Sequence, residues 1–166
     1  HSLLAAQLIS QLQHAFGQAL PIATLFQNPT IAQLARVLEN PPAVQPWSTL
    51  VPLQPLGQHL PFFCVHGVGG DIVNYYPLAQ ALGQEQPFYA LRAVGLDGQR
   101  APYTDMTEMA TAYIAAIQQG QAHGPYIIGG HSFGGEIAFE IVRQLQARGE
   151  AVALFVLLDS YAPGRL

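Results

Sequence analysis

Tyr126-Ile127-Ile128-Gly129-Gly130-His131-Ser132-Phe133-Gly134-Gly135-Glu136-Ile137-Ala138 decides how the rest of the chain is read. Tyr126–Gly129 is an apolar run suited to a buried strand. Ile137, Ala138, Ile141, Val142 and Leu145 then fall on one helical face, and Gly149 is placed to end that helix. Between them, Gly130-x-Ser132-x-Gly134 has the spacing and the strand-to-helix context of a nucleophile elbow. The chemistry accounts for the residue types. A serine that attacks a carbonyl must project from a tight, strained turn, and its neighbours must be small because strand and helix cross closely there. The helix N-terminus beneath it favours developing negative charge. A glycine-rich turn that binds phosphate or a nucleotide has a similar pattern, so Ser132 needs supporting groups before it reads as a nucleophile.

Those groups lie at the ends of neighbouring strands. Ala153–Leu158 is the next apolar strand and runs into Asp159. In a parallel sheet the C-terminal strand ends lie side by side, which places Ser132 and Asp159 on one edge. A carboxylate there can orient and stabilise the histidine that serves a serine as base. Upstream, Phe62–Val65 runs into His66-Gly67-Val68-Gly69-Gly70, a loop that lets backbone approach a ligand and supplies a second N–H donor. The oxyanion hole is therefore assigned to the backbone N–H groups of Val68 and Phe133. His66 and His131 sit where their strands turn and precede the acid in the chain, so both read as local structural residues. His14, His59 and His123 have no metal-ligand spacing, and no metal is expected. The order Ser, then Asp, then His demands a histidine after Asp159, and residues 160–166 contain none.

Further outward, Leu50–Leu53 is an opening strand, Asp71 caps a helix running to about Leu82, and Phe88–Ala93 is a strand. A Gly- and Pro-containing loop at 95–102 leads to a helix with Met106, Met109, Ala110, Tyr113, Ile114 and Ile117 on one face. Apolar strands alternating with amphipathic helices predict an α/β fold, a parallel sheet with helices on both faces. Residues 1–39 differ and read as helical throughout. Leu4, Leu8, Leu12 and Phe16 mark a helix stopped by Pro21, with a short turn around Ile22–Phe26. Thr30 then caps a second helix carrying Ile31, Leu34, Ala35 and Leu38. Such helices cannot bury their faces alone, so packing chain upstream of His1 is expected. Residues 40–49, with Pro41, Pro42 and Pro46, are the predicted linker.

Composition narrows the function. Half of the 166 residues are hydrophobic and 10% are charged. Six Lys+Arg, all arginine, against ten Asp+Glu give a net charge of −4. That argues against nucleic acid, whose affinity rests on clustered cations. No apolar stretch is long enough for a membrane span. The single Cys64 fits a reducing, cytoplasmic compartment.

Pro61-Phe62-Phe63-Cys64-Val65-His66-Gly67-Val68-Gly69-Gly70, Gly95-Leu96-Asp97-Gly98, Gly129–Gly135 and Leu157-Leu158-Asp159-Ser160 resemble, in order and spacing, the thioesterase domains that end nonribosomal peptide synthetases and polyketide synthases. The resemblance implies an incomplete α/β-hydrolase over residues 50–166. Ser132 would be its nucleophile, Asp159 its triad acid, and Val68 and Phe133 its oxyanion donors; in the family the histidine, the lid and the last strands follow, and here they are absent. His1–Leu8 and the stretch from Leu20 to Ala35 resemble the second half of a carrier domain, over residues 1–39. That implies Ser2 as the attachment site of 4′-phosphopantetheine, a phosphodiester placed at a helix N-terminus. His1 before Ser2 resembles peptide synthetases more than polyketide carriers. The expected function is release of a carrier-tethered acyl or peptidyl thioester through Ser132, by hydrolysis or cyclisation. The expected partners are a phosphopantetheinyl transferase and upstream adenylation and condensation domains. Without the histidine the fragment itself is expected to be inactive, and its uncovered apolar surface prone to aggregate. Two other readings stay open: a carrier and docking module without catalysis, and a free-standing serine esterase.

Overall fold

The computed structural model describes residues 2–18, 20, 24–25, 28–40, 47–96 and 98–161. The chain divides into two compact units, His1–Pro46 and Trp47–Leu166. In the first, α1 spans Ser2–Phe16 and α2 spans Ile31–Glu39. α1 ends before Pro21: Gly17 takes φ 68° and its N–H donates to the Gln13 carbonyl at 2.9 Å. A glycine in the left-handed region closes a helix without a Cβ clash, so Gly17 is the stop. Pro21 and most of the predicted turn at Ile22–Phe26 lie outside the described residues, as do residues 41–46 of the predicted linker. Thr30 caps α2 as expected. Its hydroxyl accepts from the Gln33 N–H at 3.3 Å, and the Gln33 side chain accepts from the Thr30 N–H at 3.1 Å. The Gln18 amide donates to the Leu38 carbonyl at 3.0 Å, tying the end of one helix to the end of the other. Leu4, Phe16 and Ile31 stay exposed, so these helices leave apolar surface uncovered among the described residues.

The second unit is a five-stranded sheet with helices on both faces. Its strands are β1 (Leu50–Gln54), β2 (Phe62–Val65), β3 (Phe88–Leu91), β4 (Tyr126–His131) and β5 (Val152–Leu158), in the order β1-β3-β2-β4-β5. β2, β3, β4 and β5 are parallel as predicted, but β1 runs antiparallel to β3 at one edge. The link at 55–61 leads from β1 to β2, with β3 between them in the sheet, and is too short for the crossover that strands running the same way require, so the chain reverses instead. Pro52, which cannot donate to a ladder, is tolerated at this edge, where the register also shifts.

Alternate residues of each strand feed opposite cores. Phe63 and Val65 pack with Tyr113, Ile114, Ile117, Ile137 and Ile141, which belong to α4 (Met106–Gly120) and α5 (Phe133–Ala147). Phe62 and Cys64 pack with Ile72, Tyr75 and Ala79 under α3 (Tyr76–Ala81). α3 is shorter than the helix predicted from Asp71. Pro77 has no N–H to donate, so the regular helix starts around it and the chain before it winds as a tight turn at Val73–Tyr75. Asp71 caps only that turn, accepting from the Val73 N–H at 2.6 Å. Asp105 caps α4 through the Glu108 N–H at 2.9 Å.

Candidate active site

The site is built where β4 hands over to α5. Ser132 adopts φ 53° and ψ −124°, a conformation that L-residues with side chains pay strain to hold. It is fixed from both sides. Its N–H donates to the Leu158 carbonyl at 3.0 Å, continuing the β4–β5 ladder, and its carbonyl accepts from the Gly135 N–H at 2.9 Å. The flanking glycines have no room for a side chain. A Cβ on Gly134 would overlap the carbonyl oxygens of Val65 and His66, and one on Gly130 would overlap the Gly134 carbonyl. Helix α5 thus starts directly against the ends of β2 and β4, with the half-buried Ser132 at the crest.

Asp159 is the residue after β5. Because His131 pairs with Leu158, Ser132 and Asp159 are the next residues of adjacent parallel strands and share the C-terminal edge. Asp159 is exposed and also has positive φ, 46°, so both strands turn sharply where they leave the sheet. The third element is the loop after β2. The Gly70 N–H donates to the Gly67 carbonyl at 2.9 Å, closing a turn that leaves Val68 80% exposed. Gly67 packs on the His131 ring, where an added Cβ would lie 3.1 Å from Nδ1, so the loop abuts the elbow. Phe133 opens α5, and an N–H in a first helical turn has no partner within its helix.

His66 is a structural residue in the geometry as well. It is 3% exposed, with Nδ1 2.6 Å from the Gly67 carbonyl and Nε2 2.7 Å from the Tyr113 hydroxyl. Burial holds its pKa below the usual 6.5. The unfolded chain takes up this proton first as pH falls, so the stability from the neutral ring is complete above about pH 6.5 and is lost through the folded value below it. Glu140 and Glu150, held low by the Arg143 side chain and by the Gly124 N–H respectively, act only below their usual 4.5. Denaturant unfolding at about pH 7.5 and about pH 5 is expected to show a loss of stability in the native chain that shrinks in His66→Asn. Equal losses in both proteins would contradict the assignment. His123 pairs with Glu150 at 3.0 Å, and His14 and His59 are exposed. Among the described residues no group of three or more His, Cys, Asp or Glu could hold a metal.

Two tyrosines matter here that the sequence reading placed only on apolar faces or not at all. Tyr113 bonds His66 from α4, and the Tyr75 hydroxyl donates to the Val65 carbonyl at 2.6 Å from the opposite face of the sheet. A tyrosine on an otherwise aliphatic buried face was the available signal, since its hydroxyl needs a partner there. A separate cleft of about 510 Å³ lies between Trp47–Leu50, Tyr103 and the alanines of α4. None of the elbow or glycine-loop residues lines it.

The family model described as a thioesterase domain matches residues 60–166, and the one described as a phosphopantetheine attachment site matches residues 1–38. An indigoidine synthase of Dickeya dadantii is 42% identical over 99% of the chain, and a dimodular nonribosomal peptide synthase of Bacillus subtilis is 40% identical over 97%. The chain spans only 11% and 7% of the lengths of these two relatives. A four-domain nonribosomal peptide synthetase, crystallised in its holo form with AMP and glycine, superposes with a TM-score of 0.64 at 36% identity, over 98% of this chain and 12% of its own. The NocB thioesterase domain, in covalent complex with a fluorophosphonate nocardicin G analogue, gives 0.63 at 29% identity, over 68% of this chain and 50% of its own. With more than half of its residues matched, and with an elbow, an acid and a glycine loop gathered on one sheet edge, the chain belongs to the thioesterase domain family.

Proposed function

We propose that the chain acts in a nonribosomal peptide synthetase, where Ser132 takes over an acyl or peptidyl group from a thioester and releases it. The observation that carries this reading is the strained backbone of Ser132, clamped between glycines that cannot be enlarged and set beside Asp159. The Ser132 Oγ attacks the acyl carbonyl carbon and passes its proton to a base. As the new C–O bond forms, charge develops on the carbonyl oxygen, and in this reading the N–H groups of Val68 and Phe133 receive it. The C–S bond then breaks, and the thiol leaves with a proton. Water, or a nucleophile within the acyl group itself, attacks the serine ester and frees the enzyme. Asp159 is the residue that orients the base.

In this reading residues 1–39 are carrier, 40–49 linker and 50–166 thioesterase. Ser2 is the attachment point, and α1 begins there, so the unpaired N–H groups of its first turn suit a phosphodiester. The 4′-phosphopantetheine arm supplies, when attached, a thiol that holds the acyl group as a thioester. A phosphopantetheinyl transferase and further synthetase domains are the partners. Among the described residues no helix is long and apolar enough to cross a membrane.

No histidine follows Asp159 in this sequence, so the 166-residue chain is expected to hydrolyse an acyl N-acetylcysteamine thioester negligibly. Imidazole added to the solution is expected to raise that rate, since general-base catalysis is worth about 10²–10⁴-fold when well positioned. The part of the increment above the rate of imidazole without protein should vanish in Ser132→Ala. Sustained hydrolysis without imidazole that requires Ser132 would show that the chain already holds a base.

A further inference from the structure

We propose that Tyr113 is a positioning residue for the release reaction, acting through His66 to aim the backbone N–H of Val68. The inference rests on the reading of Ser132 and Val68 given above. A carbonyl oxygen can only accept, so at 2.6 Å from the Gly67 oxygen His66 must carry its proton on Nδ1. Nε2 of the neutral ring is then an acceptor, and the Tyr113 hydroxyl at 2.7 Å donates to it. The two rings meet edge to face, 78° apart. Tyr113 is fully buried on an α4 face otherwise formed by Ala110, Ile114 and Ile117. A phenylalanine would fill that volume equally well, so the hydroxyl is present for His66.

The consequence lies in one peptide unit. The Gly67 carbonyl and the Val68 N–H belong to the same planar trans peptide and point in opposite directions. Fixing the oxygen therefore fixes the donor. That oxygen is held twice, by His66 Nδ1–H and by the Gly70 N–H at 2.9 Å. The loop has need of it, since Gly67, Gly69 and Gly70 give the backbone wide freedom. Oxyanion donors work by being aimed before charge develops, and a poorly aimed one loses much of its effect.

The test is Tyr113→Phe in the 166-residue chain, with phenylboronic acid as the probe, because its tetrahedral adduct on a serine places an oxygen at the oxyanion position. The variant is expected to keep its cooperative unfolding transition, to shift the Val68 amide resonance, and to bind the boronate about 10-fold more weakly. Unchanged Val68 resonances together with unchanged boronate affinity would overturn the proposal. Nitrogen-15 spectra of His66 in the native chain give an answer that does not depend on the variant folding. The Nδ1-protonated tautomer supports the relay, and the Nε2-protonated one overturns it. A native chain that forms no adduct at Ser132 would count against the release reading and against any part played by Tyr113 in it. The amide and nitrogen signals would still report whether the relay holds the loop.

Discussion

Replacing Gly134 by alanine is expected to cost more than about 4 kcal/mol of stability, enough to leave little folded protein. The added Cβ would overlap the carbonyl oxygens of Val65 and His66. Neither can retreat easily. Val65 is the last residue of β2 and is paired on both sides, with Leu91 and Gly130. Its oxygen also accepts the Tyr75 hydroxyl at 2.6 Å. Helix α5 would have to lift off the sheet, and Ile137, Ala138 and Ile141, all fully buried beneath it, would lose their packing. Gly69→Ala is the control. Nothing lies within 4 Å of its added Cβ, so its cost should stay under about 1 kcal/mol. Denaturant unfolding of the two variants checks the contrast, and a Gly134→Ala protein as stable as Gly69→Ala would refute the close crossing of β2 and α5.

The second large effect concerns Ser132 itself. Its φ of 53° is a conformation that glycine holds without strain. Ser132→Gly is therefore expected to stabilise the chain by about 1–3 kcal/mol while abolishing every reaction at the elbow. A serine kept where glycine would be more stable is accounted for by chemistry that needs its hydroxyl. If Ser132→Gly were destabilising, the backbone would not be strained and the structural case for the nucleophile would weaken.

The elbow was legible in the sequence because its constraints are local. A strand, a turn that excludes side chains and a helix must follow one another within a few residues, and Tyr126–Ala138 records each in residue type. Phe62–Val65 was legible for a similar reason, since a strand covered on both faces must be apolar throughout. The direction of β1 is a different matter. Leu50–Gln54 alternates no differently for being antiparallel, and only the length of the 55–61 link carries the information. The extent of α3 is hard to read from sequence because an early Asp is a good cap wherever it falls, and Pro77 decides where the regular helix can begin. Pro21 is the more conspicuous breaker in the sequence, although a left-handed glycine such as Gly17 ends a helix as firmly. Tyr113 and Tyr75 were least legible of all. Their hydroxyls reach residues far away in sequence, His66 and Val65, and periodicity sees only a ring.

The central claim is that Ser132 is the nucleophile, and serine-directed fluorophosphonate labelling followed by peptide mass mapping tests it most directly. The chain contains five serines: Ser2, Ser10, Ser48, Ser132 and Ser160. The label is expected on Ser132 alone, slowly without added imidazole and faster with it, and on nothing in Ser132→Gly. Label spread over the other serines, or none on Ser132 in the folded protein with imidazole present, would contradict the account.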